Sequence, residues 1–190
     1  MVSTEFSGEL VNEIPTGKIV IKYSNGKKNG MTRFIASDGR IQTEIPYLND
    51  EIHGELRQYY DSGGVMSIIT YMHNEQTGPM STFFENGMKQ LVTAFAAGKI
   101  HGPYTTYDEY GDTISEAEYV NGVRHGRNLT YYPKIYGGGL YELSYYDNGL
   151  LEGDKVTFYE TGEIMATTPY VDGKAQAYPR NFSKTGEEIH

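Results

Sequence analysis

Residues 119–131, YVNGVRHGRNLTY, carry the phrase from which the rest of the chain is built. Tyr119 ends one strand, Asn121-Gly122 makes a turn, and Gly126 opens the next strand. With Gly126 as the frame, Gly102, Gly78, Gly54 and Gly30 precede it at intervals of 24 residues. Gly153 follows after 27, and Ala177 after another 24. Seven residues before each frame position stand Tyr23, Tyr47, Tyr71, Phe95, Tyr119, Tyr146 and Tyr170. Five residues after it stand Ile35, Tyr59, Phe83, Tyr107, Tyr131, Phe158 and Phe182. A third glycine column falls nine residues after the frame, at Gly39, Gly63, Gly87, Gly111, Gly162 and Gly186. A fixed period in this range marks a repeat architecture. Each period holds two aromatics and two turns, the layout of one β-hairpin.

Lys18–Ser24, KIVIKYS, alternates and is rich in β-branched residues, as a strand requires. Asn25-Gly26 then supplies the positive φ that a tight turn needs. The same reading predicts strands over 31–36, 41–47, 55–60, 65–71, 79–84, 89–95, 103–108, 113–119, 127–132, 140–146, 154–159 and 164–170. The fold expected is all-β: an elongated, single-layer antiparallel meander of about seven 24-residue β-hairpin repeats in one domain, 1–190. Residues 1–17 read as a degenerate first hairpin or irregular N-terminal cap, 18–177 as the repeats, and 178–190 as a degenerate last repeat or cap, with Pro179 suited to an edge. Little helix is expected. The aromatic columns are expected to stack into continuous ladders that replace a globular core.

Composition narrows the partners. Sixteen Lys and Arg against 25 Asp and Glu give a formal charge of −9. Phosphate binding relies on clustered cations, so nucleic acid and anionic lipid are disfavoured. A protein with a basic surface fits better, because complementary potentials speed association. The chain has no Cys and 18 Tyr. Its start, MVSTEFSGELVNEIPTG, has no basic and then apolar leader pattern, so a cytoplasmic location is expected. A removed leader replaced by Met would leave the same start, which keeps a periplasmic or secreted site open. No apolar run reaches the length of a membrane span.

The pattern Y-x-N-G-x-x-x-G-x-x-x-x-[YF]-x-x-x-G resembles that of MORN-repeat proteins. The segments YSNGKKNG (23–30), FAAGKIHGPYTTYDEYG (95–111), YVNGVRHGRNLTYYP (119–133) and FYETGE (158–163) carry the likeness. It is similar in particular to the bacterial variant found in YwqK-family antitoxin components. The resemblance implies a protein-binding sheet, sometimes a lipid-binding one, and an antitoxin or immunity role against a toxin or effector. A peripheral lipid-binding scaffold is the alternative. Asp50 and Asn74 depart from the turn glycine, and the insertion PKIYGG at 133–138 interrupts the period.

No spacing suggests an enzyme, a metal or a cofactor, and none is expected. His53, His101 and His125 precede the frame glycine in three repeats, but positions one repeat apart are about 9–10 Å apart and share no ion. Asp108, Glu109, Asp112, Glu116 and Glu118 form an acidic cluster suited to a basic partner, or simply a solvated strand. Tyr132, Tyr136 and Tyr141 surround the insertion, and loop aromatics often anchor partners. Tyr104, Tyr107, Tyr119 and Tyr131 offer either an aromatic surface or the packing of the sheet itself. The residues expected to touch a partner are therefore Tyr104, Tyr107, Asp108, Glu109, Asp112, Glu116, Glu118, Tyr132, Tyr136 and Tyr141.

Overall fold

The computed structural model describes residues 5–189; residues 1–4 of the expected cap and His190 lie outside them. The fold is all-β, an antiparallel meander of 21 strands, several of them two-residue stubs flanking turns. The single helical element among the described residues is a 3-10 turn, Lys134–Tyr136. Two compact units are distinguished: Met1–Met88 with Phe95–Lys99, and Lys89–Ala94 with Ile100–His190.

In the first unit Gly8–Ile14 pairs with Gly17–Ser24. Of the degenerate hairpin or cap expected there, these residues form a hairpin. Pro15-Thr16 is its turn, and Glu9 and Glu13 stand directly opposite Lys22 and Lys18. Gly30–Ala36, Ile41–Leu48, Gly54–Tyr59, Val65–Met72 and Glu75–Phe83 follow, each paired with its sequence neighbour. In the second unit the same order runs through Thr113–Val120, Gly126–Tyr131, Leu140–Asp147, Gly153–Phe158, Ile164–Val171 and Arg180–Phe182.

Each Asn-Gly-type turn has both central residues at positive φ, the geometry whose twist matches paired strands. The turns also bond to one another. The amide of each second turn residue donates to a carbonyl two residues past the equivalent position of the previous turn. In the first unit this gives Asp50 to Lys28, Asn74 to Ile52 and Gly98 to Gln76; in the second, Gly122 to Ile100, Gly149 to Arg124 and Gly173 to Leu151, all at 2.7–3.0 Å. Asp50 and Asn74 add a return bond. Their side-chain oxygens accept from the amides of Lys28 at 2.7 Å and Ile52 at 2.8 Å. Both residues tolerate the left-handed region, so these departures from glycine strengthen the stack.

Past the turn the frame glycines form a β-bulge. The amide of the residue before the glycine returns to a carbonyl seven residues earlier, as His125 does to Glu118 at 2.9 Å. Gly126 itself sits at φ 77°, where only glycine is unstrained. The strand after the bulge places each frame glycine opposite an aromatic: Gly30 faces Tyr47, Gly54 Tyr71, Gly102 Tyr119, Gly126 Tyr146 and Gly153 Tyr170. A ring laid across a glycine covers backbone that a Cβ would otherwise shield. At Ala177 the φ is not left-handed, and the following strand shortens to three residues.

The continuous aromatic ladder does not form. Each aromatic column recurs on every second strand, so its rings are about 9–10 Å apart. Cations span that gap. The Arg124 guanidinium carbon lies 6.0 Å from the Tyr119 ring and 5.4 Å from Tyr146, and the Lys28 ammonium is 4.8 Å from Tyr47. The buried residues are mostly small and polar: Thr32, Ser67, Thr93, Ala117 and Ser144, with Asn128 and Leu129.

The opposite hairpin edge holds a second staple. Tyr60, Tyr132 and Tyr159, six residues past their frames, donate hydroxyls to the carbonyls of Phe83, Phe158 and Phe182 at 2.6–2.8 Å. Each acceptor is the aromatic of the next repeat. The insertion at 133–138 lengthens only the turn beside Tyr132. Its amide closes onto Gly139 at 2.9 Å, whereas Tyr60 closes onto Gly64.

Two substitutions at the stacked turns should move stability in opposite directions. Asn74→Ala removes one bond and strains a left-handed position, and should cost about 2 kcal/mol. Ala97 already occupies that region at φ 49°. Ala97→Asn should stabilise by about 1 kcal/mol. Urea unfolding of the three proteins compares them directly.

Candidate functional site

The chemistry-bearing residues gather beside the insertion in the second unit. The strand Lys99–Tyr107 turns at residues 108–112 and returns as Thr113–Val120. Asp108 shapes the turn: its Oδ1 accepts from the amides of Tyr110 and Asp112, both at 2.9 Å. Asp112 thereby faces the neighbouring turn, where the 3-10 segment holds Lys134. The Lys134 ammonium donates to Asp112 Oδ1 at 2.9 Å, and that carboxylate raises the ammonium's pKa.

This contact roofs a cleft of ≈ 340 Å³ lined by Asp112, Thr113, Glu116, Tyr131, Tyr132, Lys134, Gly137 and Gly138. Several of the same residues, with Asp108 and Pro133, border a hollow of ≈ 200 Å³. Burial first, and then the Glu116 carboxylate, push the Tyr131 hydroxyl above the ordinary phenol range. The cleft thus joins carboxylates, tyrosine rings and the Lys134 ammonium. An open groove of ≈ 560 Å³ at Thr168, Tyr170 and 175–179 is larger but contains no charged group.

Of the expected partner residues, Asp108, Asp112, Glu116 and Tyr132 come together here. The others separate. Tyr104 and Tyr107 are three apart on one strand, so their side chains lie on opposite faces. Tyr104 meets the Tyr119 ring at 5.5 Å, while Tyr107 shares the face of Glu116 and Glu118. Glu118 lines a small hollow of ≈ 80 Å³ with Glu116, Arg127, Thr105 and Leu129. Glu109 stands exposed in the turn. Tyr141 packs on Tyr132 with ring centres 5.0 Å apart, and Tyr136 projects from the 3-10 segment, 58% exposed. Lys134 was not among the expected residues. Its only trace in the sequence is a basic residue inside an insertion that follows an acidic run.

The histidines serve the turns. His125 pairs with Asp147 at 3.3 Å, and His101 Nδ1 accepts from the Asn121 amide at 3.4 Å. His53 packs edge-on against His73 at 5.1 Å, and His73 in turn pairs with Glu51. Among the described residues no group of three or more His, Cys, Asp or Glu is placed to hold a metal. None of the described helices is long and apolar enough to cross a membrane.

The first unit contains a fully partnered version of the Glu116 and Tyr131 arrangement. Glu44 receives the Tyr59 hydroxyl at 2.7 Å and the Arg33 guanidinium at 2.9 Å. Its side chain is 13% exposed. Tyr59 first, and Arg33 with it, hold the Glu44 carboxyl below the ordinary carboxylate range.

Two stretches, residues 52–73 and 151–172, match the family model described as MORN repeat variant. Each contains one frame glycine, the aromatic five residues after it, the glycine nine residues after it, and the aromatic that precedes the next frame position, Tyr71 or Tyr170. The matches support a MORN-repeat protein, and MORN repeats are protein- and membrane-binding motifs rather than catalytic ones. No curated protein matches the chain. Among solved structures, the chain matches a porin-like protein from Bacteroides uniformis ATCC 8492 at 12% identity, over 90% of this chain and 92% of that one, with a TM-score of 0.24. A score that low carries no argument about fold or function.

The depressed Glu44 pKa has a signed consequence. Its stabilising contribution is present above the unfolded carboxyl range, near pH 4.3, and is lost as pH falls through the lower folded value. Wild-type unfolding free energy should therefore drop more steeply between about pH 5 and pH 3 than that of Glu44→Gln. Urea titrations across that range measure the two slopes.

Proposed function

We propose that this chain is a non-enzymatic protein-binding scaffold acting in the cytoplasm as an antitoxin or immunity protein. It binds a toxin or effector with a basic surface and blocks it sterically. The observation that carries this reading is the cleft beside the insertion, where Asp112 and Glu116 meet the rings of Tyr131 and Tyr132. The net charge of −9 adds long-range attraction for such a partner. The resemblance to YwqK-family antitoxin components supplies the biological role.

The insertion separates folding from binding. Deleting residues 135–137 restores the 24-residue period and leaves the strand pairings around it unchanged. Stability should stay within about 1 kcal/mol of wild type, because surface-loop length contributes weakly. Partner binding should fall by at least tenfold, since the cleft loses its roof. Asp112→Asn with Glu116→Gln should weaken binding roughly ten- to a hundredfold.

The deciding experiment joins a pull-down from the native host to growth assays. The captured protein should arrest growth when expressed alone and be tolerated when the wild-type chain is co-expressed. The loop-deleted chain should fail to protect. A captured protein without toxicity would remove the antitoxin role, and recovery of no protein would remove the scaffold reading as well. Flotation with anionic liposomes should leave the chain in the bottom fraction.

A further inference from the structure

The repeat provides an internal standard for each side chain, and one position departs from it in a way that specifies a ligand. Ten residues before the frame glycine, a glutamate occurs twice, at Glu44 and Glu116. The other repeats hold Val20, Ile68, Val92, Leu143 and Thr167 there. In both glutamate repeats the aromatic five residues past the frame is a tyrosine, Tyr59 or Tyr131. Tyr59 donates to Glu44 at 2.7 Å, and Tyr131 lines the same cleft as Glu116.

The flanking positions are where the two sites part. Glu44 stands directly opposite Arg33 on one side and Arg57 on the other. Arg33 Nε donates to Glu44 Oε1 at 2.9 Å. Glu116 stands opposite Thr105 on one side and Leu129 on the other. Both guanidinium positions are therefore filled by side chains that carry no charge. Among the described residues no ion pair reaches Glu116. A hollow of ≈ 80 Å³ lies between Thr105, Glu116 and Leu129, and the cleft of ≈ 340 Å³ opens on the Tyr131 side. Arg127 and Glu118 also border the smaller hollow.

We infer that Glu116 and Tyr131 form a receptor site for an arginine side chain of the partner, whose guanidinium takes the place that Arg33 occupies against Glu44. The class is guanidinium rather than ammonium because the internal standard is an arginine. Its planar fork can reach the carboxylate from the Thr105 side, the side on which Arg33 meets Glu44, while the stem covers apolar surface. The first unit shows that this carboxylate–phenol pair accepts such a donor at hydrogen-bond distance on this kind of sheet. The inference deepens the protein-binding reading, on which it relies for the source of the arginine.

The site can be tested without the partner. N-acetyl-arginine methylamide is titrated into the isotope-labelled full chain and followed by amide and methyl NMR. A saturable shift centred on Thr105 and Tyr131 is expected. Glu116→Gln should weaken it at least tenfold. Thr105→Arg should abolish it by supplying the donor internally, with the Glu116 neighbourhood shifting as if loaded. N-acetyl-lysine methylamide should bind several-fold more weakly. No saturable shift, a shift unchanged by Glu116→Gln, or equal affinity for the lysine probe would each overturn the proposal. A blank titration with a protective pull-down would remove the arginine site alone. A positive titration without a protein partner would remove the antitoxin reading and leave the site standing.

Discussion

The bond that the remaining structure depends on is the amide-to-carbonyl contact between successive hairpin turns. A turn of this kind needs two residues at positive φ, and that requirement selects Asn-Gly, Asn-Asp or His-Asn in most repeats. Once the turn is made, its second amide points at the previous turn and not into its own hairpin. The bulge at the frame glycine then re-aims the strand so that an aromatic stands opposite the glycine on the next strand. Pairing, ring placement and the staple from Tyr60, Tyr132 and Tyr159 all inherit that geometry. A sheet with so few buried apolar side chains holds its shape through backbone bonding and half-covered rings.

Much of this architecture was legible in the residues. Period, turn type and strand limits follow from glycine spacing and alternation. The aromatic ladder was misread because a column was treated as though it recurred on adjacent strands. The contribution of Asp50 and Asn74 was not legible, since their acceptor oxygens matter only once one turn sits over another. The column of Tyr60, Tyr132 and Tyr159 was missed because alanine, phenylalanine, aspartate and serine fill it elsewhere. At Gly8–Ile14 the residues leave a hairpin and a cap both open, because Pro15 replaces the usual turn residues; in the fold it stands in the turn of a regular hairpin.

The candidate site was half visible. Acidic residues at 108, 112 and 116 signalled a charged surface, and the insertion signalled a special turn. That the two meet follows from Asp108 holding its turn so that Asp112 reaches Lys134. Strand parity alone would have separated Tyr104 from Tyr107. The contrast between Glu44 and Glu116 depends on cross-strand register, which sequence spacing gives only after the bulge is known. The lysine inside the insertion has no counterpart in other repeats, so no column could reveal it.

Every bond in the turn stack joins one turn to the turn of the preceding repeat. A genome could therefore duplicate or excise a whole hairpin unit by unequal recombination and leave each surviving amide with a carbonyl to meet. Length in such a chain is cheap to vary, while side-chain identity at a single copy is where selection has something to grip. The loop at residues 133–138 and a glutamate flanked by uncharged side chains, Glu116, are private to one copy. They are the kind of mark by which an interchangeable module becomes an individual.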